Sequence, residues 1–285
     1  MLSGRSAAMS ISPPPPAPLI PLLRAAVLEL AVLLGHVMLY PAGMRPEQSA
    51  GPGTRPGRGS DGAGAESALL TAAVGRPPVV LLHGFVDNRS VFVPLRRSLA
   101  RHGWHHLTSL NYSPLTCDLR TAAELLARHV EDLCARTGHP RVDIVGHSLG
   151  GLIARYYTQR LGGDTRVRTL ITLGTPHEGT RVAPPMSAHP LVRQMRPGSS
   201  LIAELALPAP GCRTRFVSFW SDLDRIMVPT ETARLHHPDL VATNVQVSGV
   251  GHLTLPVHPA VAATIRQELR APAGADGTAV GVRVA

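Results

Sequence analysis

Val142-Asp143-Ile144-Val145-Gly146-His147-Ser148-Leu149-Gly150-Gly151-Leu152-Ile153-Ala154-Arg155-Tyr156-Tyr157 passes from a short apolar run, through glycines around a serine, into a helical pattern. The run Val142–Val145 reads as a buried strand and Leu149–Leu161 as a helix. Between them Gly146 to Gly150 has the form G-x-S-x-G. So sharp a turn strains the serine backbone and lifts its Oγ above the carboxyl edge of a sheet. Gly146 and Gly150 suit it because a side chain at either would collide where strand and helix pass closely. In a chain with 27 glycines the five-residue motif alone is weak. Its strand–turn–helix setting is what makes Ser148 a nucleophile candidate.

On either side of this turn the pattern repeats. Short apolar runs at Val79–Leu82, His106–Leu110, Val167–Leu173, Arg215–Trp220 and Asn244–Val247 read as five more strands. Helical patterns cover Ser90–Arg101, Leu119–Thr137 and Val257–Leu269. Strands alternating with helices predict an α/β unit, with a mainly parallel six-stranded sheet and helices on both faces.

A serine hydroxyl needs a base to accept its proton. Of 14 histidines, His252 follows the last expected strand in the turn Ser248-Gly249-Val250-Gly251-His252, with His258 its one competitor. The carboxylate that orients the base belongs after the preceding strand, where Asp222 and Asp224 both occur. Asp224 is preferred because Ile226–Val228 can anchor the loop behind it, and Asp222 reads as a solvated or loop-capping group. An oxyanion needs two backbone N–H donors. Leu149 supplies one, and the turn His83-Gly84-Phe85 beyond the first strand offers the N–H of Phe85, with Gly84 permitting the turn and His83 as its structural partner.

Taken together, His83-Gly84-Phe85, Gly146-His147-Ser148-Leu149-Gly150-Gly151, Gly174-Thr175-Pro176-His177-Glu178-Gly179, Asp224 and Gly251-His252 resemble bacterial lipases and esterases of the α/β-hydrolase superfamily. The likeness spans about residues 77–270. It implies a minimal α/β-hydrolase fold, since the two leading strands of larger members are absent from the pattern. It also implies hydrolysis of carboxylic esters, acyl glycerols or other lipid esters among them, through an acyl-enzyme. Ser148 would be nucleophile, Asp224 acid, His252 base, and Phe85 and Leu149 oxyanion donors. No cofactor is implied, and no residue cluster has metal-ligand spacing. A thioesterase, phospholipase or acyltransferase would use the same triad. A tethered binding protein on the same scaffold is the more distant alternative.

The remainder of the 285 residues frames that unit. Residues 1–18 are proline-rich and read as disordered, 44–76 as a Gly/Pro/Arg-rich linker, and 271–285 as a loose tail. Residues 19–43 are apolar enough in length for a span of about 20 residues, although Glu29 is costly in lipid. The segment is expected to anchor the chain to a membrane, with a docked helix or a cleaved signal as alternatives. Membrane-anchored or exported is the corresponding location. The net charge of +9 comes from scattered arginines without lysine, a pattern that argues against nucleic-acid binding. Three cysteines exclude a disulfide-rich scaffold. Cys134 and Cys212 should share the sheet edge opposite Ser148, and Cys117 the catalytic edge, so Cys134–Cys212 is the one pair to consider in an oxidising compartment.

Overall fold

The computed structural model describes residues 19–43, 75–85, 87–112, 118–183, 187–271 and 283–284, with side chains of the first helix described over 23–35. Its elements run α1 (Leu19–Gly43), β1 (Val79–Leu82), α2 (Val93–Arg101), β2 (Leu107–Leu110), α3 (Leu119–Thr137), β3 (Val142–His147), α4 (Leu149–Arg160) and β4 (Val167–Leu173). There follow α5 (Pro190–Gln194), α6 (Ser200–Leu205), β5 (Arg215–Ser221), β6 (Val241–Val247), α7 (Pro259–Arg270) and β7 (Arg283–Val284). The sheet order is β2-β1-β3-β4-β5-β6-β7, and every pairing is parallel. This is an α/β-hydrolase fold. Six strands match the expectation. The seventh is a two-residue pairing of Arg283–Val284 with Gln246–Val247, so part of the tail expected to be loose joins the sheet. Residues 1–18, 44–74 and Cys117 lie outside the described residues.

Alternation of side chains along each strand feeds two cores, one on each face of the sheet. Val80, Leu82, Val142, Ile144 and Leu170 pack with Leu126, Val130, Leu152 and Ile153 of α3 and α4. Val79, Leu81, Val145, Ile171, Val217 and Phe219 pack with Leu95, Leu99, Val261 and Ile265 of α2 and α7. Burial on both faces is why the strands read as mainly apolar runs rather than as strict alternation. Helix α3 is delimited locally. The Asp118 side chain accepts from Thr121 N at 2.8 Å, and Gly138, at φ 71°, returns its N–H to the Cys134 carbonyl. Cys134 and Cys212 are both free thiols, so the pairing considered from sequence is not formed.

Helix α1 packs against the 3-10 turn Arg89–Phe92. Ala25 is buried and Glu29 is half-buried, while Leu23, Val27, Leu30, Leu33 and Leu34 face outward. Among the described residues no helix is long and apolar enough to cross a membrane. Over its described side chains α1 is docked on the rest of the fold, as the docked-helix alternative has it. The physical reason lies in Glu29, whose carboxylate accepts hydrogen bonds from Leu253 N, Thr254 N and the Thr254 hydroxyl beyond β6.

Candidate active site

Because all strands are parallel, their carboxyl ends share one edge, and the loops leaving β1, β3, β4, β5 and β6 converge there. Ser148 sits between β3 and α4 at φ 51° and ψ −119°. It is the sole non-glycine residue with positive φ among the described residues. Such backbone costs about 1–3 kcal/mol and persists only when neighbours over-determine it. Here they do. Ser148 N–H donates to the Leu173 carbonyl at 2.9 Å, and the Thr175 hydroxyl donates to the Ser148 carbonyl at 3.0 Å.

The glycines make this turn possible in measurable ways. A Cβ at Gly150 would stand 2.4 Å from the Leu82 carbonyl oxygen, and one at Gly146 2.6 Å from Gly151 N. A Cβ on Gly151 would meet the Thr175 hydroxyl at 1.9 Å, so the third glycine exists for its partner in the loop after β4. At Gly84 the added atom would lie 3.3 Å from Ser148 Cβ, which sets the turn beyond β1 directly beside the serine. Phe85 follows it, half-buried, with its ring edge-on to His189 at 5.1 Å. Leu149, wholly buried, opens α4. The His83 ring stacks on Tyr112 at 4.4 Å, its Nδ1 lies 2.8 Å from the Gly84 carbonyl, and the Tyr112 hydroxyl donates to the His83 carbonyl.

Asp224 and His252, 28 positions apart, meet at 2.7 Å between Oδ2 and Nδ1, and both are buried. The other oxygen, Oδ1, accepts from Ile226 N at 2.9 Å and Met227 N at 3.0 Å. Burial works to raise the Asp224 carboxyl. The His252 imidazole and these two N–H groups outweigh it and hold the carboxyl below its ordinary range. His252 is pulled both ways as well. Burial lowers it, but Asp224 above all, then Asp87 and Glu29, hold it above the ordinary histidine value. The Ser221 hydroxyl donates to the Val250 carbonyl and so ties the Asp224 loop to the His252 loop. Asp222 is exposed and caps Gly249 N at 3.3 Å, away from His252. His258 flanks α7 as its N-cap residue. The Ser148 Oγ–His252 Nε2 hydrogen bond is not closed in this structure, a contact that commonly tightens only when substrate binds.

Several residues beyond those expected complete the edge. His147 Nδ1 lies 3.1 Å from Asp87 Oδ2, and its Nε2 donates to the His252 carbonyl at 3.2 Å. Its ring is 4.8 Å from that of His252. Gly174, at φ 53°, has no room for a side chain, since a Cβ would lie 2.9 Å from Asp224 Oδ2 and 3.0 Å from His252 Nδ1. Gly174→Ala should therefore pry that hydrogen bond apart. A fall in kcat of about ten- to hundredfold is expected, the scale of a small misplacement of reacting groups. Steady-state kinetics on the folded variant checks it, and an unchanged kcat would show that the pair tolerates the intrusion. His177 is wholly buried and held neutral, first by burial and then by the adjacent Arg155 guanidinium. It packs between Thr172 Oγ1 at 3.0 Å and Arg155, and takes a structural part in the loop after β4. In the segment after it, Leu191, Leu201 and Leu205 are buried, with Met195 and Ile202 packed against the same core.

The chain is similar to known proteins. The family model described as alpha/beta hydrolase fold matches residues 77–204. A triacylglycerol lipase of Pseudarthrobacter phenanthrenivorans is 30% identical over 120 residues, 40% of this chain and 37% of the relative. A triacylglycerol lipase of Vibrio cholerae is 31% identical over 137 residues, 46% and 41% respectively. The chain thus spans well under half the length of these curated relatives. Among solved structures, the mature form of Bacillus licheniformis lipase BlEst2 superposes with a TM-score of 0.58 at 16% identity, covering 68% of this chain and 92% of the other. At that identity the likeness is one of fold.

Proposed function

We propose that this chain, an α/β-hydrolase fold similar to bacterial lipases and esterases, is a serine hydrolase of carboxylic esters, lipid esters among them. One observation carries the reading. The buried carboxylate–imidazole pair of Asp224 and His252, at 2.7 Å, stands at the same sheet edge as the strained turn that bears Ser148. Ser148 Oγ attacks the ester carbonyl carbon while His252 Nε2 takes its proton. The backbone N–H groups of Leu149 and Phe85 donate to the oxyanion. The imidazolium, stabilised by Asp224, returns the proton to the departing alcohol, and water releases the acyl group by the same steps.

Support for an apolar acyl group comes from the rim of this edge. Val182, Ile226 and Val228 are all substantially exposed. Their loops are bound together, with Arg181 N donating to the Val228 carbonyl at 3.0 Å and the Thr180 hydroxyl to the Ile226 carbonyl at 2.6 Å. Three neighbouring apolar side chains held toward solvent beside the acid loop suit an acyl chain better than a charged substrate. A series of p-nitrophenyl esters from acetate to palmitate tests this. Turnover is expected throughout, with kcat/KM rising from acetate to medium chains. Absence of turnover on every ester, despite a folded protein, would reject the assignment.

A further inference from the structure

We infer that Glu29 is a positioning residue, and that α1 is an arm which holds the His252 loop in its working geometry. The inference rests on the hydrolase reading above and extends it to a part of the chain outside the catalytic domain. Glu29 Oε2 accepts from Leu253 N at 3.0 Å. Its Oε1 accepts from Thr254 N at 2.8 Å and from the Thr254 hydroxyl at 2.6 Å. One carboxylate therefore grips the two backbone N–H groups immediately after the base. Hydrogen bonds to an ionised group are shorter and roughly twice as strong as neutral ones, so this clamp is well above an ordinary loop contact.

The loop is shaped to receive it. A Cβ on Gly251 would come within 2.4 Å of Glu29 Cδ, so the residue before the histidine leaves open the space the carboxylate occupies. The docked stripe of α1 is narrow, with Ala25, Glu29 and Val32 turned inward while the large apolar side chains face out. Glu29 is thus the polar centre of the helix's attachment. From the other side His147 bonds the His252 carbonyl. The base is held fore and aft, by β3 through its own carbonyl and by α1 through the next two amides.

The charged and titratable groups facing His252 are Asp224 from the loop after β5, Asp87 from the loop after β1, His147 from the end of β3, and Glu29 from α1. A structural strut alone would affect stability. A positioning carboxylate also affects kcat and the pH at which the base loses its proton. In the full-length protein, Glu29→Ala should lower kcat about ten- to hundredfold with little change in KM, as expected for a small displacement of a reacting group. Glu29→Gln, which retains an acceptor of the same shape without charge, should recover part of kcat. Both should move the acid limb of kcat/KM to lower pH, because one of the charges favouring the imidazolium has gone. Leu30→Ala, on the outward face of α1, should leave both kcat and the limb as in the parent. If Glu29→Ala fails to fold, Glu29→Gln carries the test. A folded Glu29→Gln protein with parental kcat and parental acid limb overturns the inference, provided activity still depends on Ser148. Activity that survives Ser148→Ala overturns this inference together with the hydrolase reading.

Discussion

Ser148→Ala should reduce kcat on p-nitrophenyl esters by on the order of 10⁶, the scale seen when other serine hydrolases lose their nucleophile. Covalent labelling by a fluorophosphonate should vanish with it. Removing Oγ leaves no atom to attack the carbonyl carbon, while the rest of the edge is untouched. The turn itself should survive. Its geometry is held by Ser148 N–H to Leu173 and by Thr175 to the Ser148 carbonyl, and neither contact uses the side chain. Circular dichroism and thermal melting should therefore match the parent, with any difference coming from alanine at φ 51°. Retention of a tenth of parental activity would remove Ser148 from its role.

Asp224→Asn should cost roughly 10⁴ in kcat, as the corresponding change does in serine proteases. The amide can still accept from Ile226 and Met227 through its oxygen. Its NH₂ would then face His252 Nδ1 and demand the wrong tautomer. The pH profile adds a second, independent reading. The base must be neutral to accept the serine proton, and Asp224 is the foremost reason that His252 sits above the ordinary histidine value. The parent's acid limb should therefore lie above 6.5, the ordinary value. With the carboxylate gone, burial dominates and the limb should move to lower pH. Asp222→Asn, at an exposed loop cap, should leave both rate and limb near parental. The reverse pattern, with Asp222 essential and Asp224 dispensable, would place the acid two residues earlier.

The sheet was legible in the sequence because strands covered on both faces are rich in apolar residues. β1 is apolar at all four positions, and β3, β4 and β5 carry apolar residues into both cores between their few polar ones, such as Asp143 and Ser218. Two-residue β7 offers no such pattern, since it pairs only at the sheet's end. The turn of the candidate site was legible where the backbone demands particular residues, as at Gly146 and Gly150. The two-residue choice between Asp222 and Asp224 turned on a local feature. Only Asp224 is followed by amides that fold back onto its own side chain. Three-dimensional partners were harder to see. His147 looked like the free position of a motif, yet it bridges Asp87 and the His252 carbonyl. Glu29 looked like a penalty in an apolar helix. A lone carboxylate there has to be satisfied by something, and its donors lie more than two hundred residues away, beyond the reach of any periodicity.

That separation has a temporal side. The contacts between Glu29 and the amides at 253 and 254 span 224 and 225 positions, among the longest-range hydrogen bonds of the fold. Synthesis runs from the N-terminus, so α1 emerges long before the loop it clasps. Throughout elongation its carboxylate must remain in water or with transient partners, while β1 to β5 and the turn of Ser148 assemble. A nascent chain stopped short of residue 252 would carry the turn of Ser148 and lack the proposed base. Helix α1 and the His252 loop meet only after both have been made, and on the proposed reading the site becomes competent when they do.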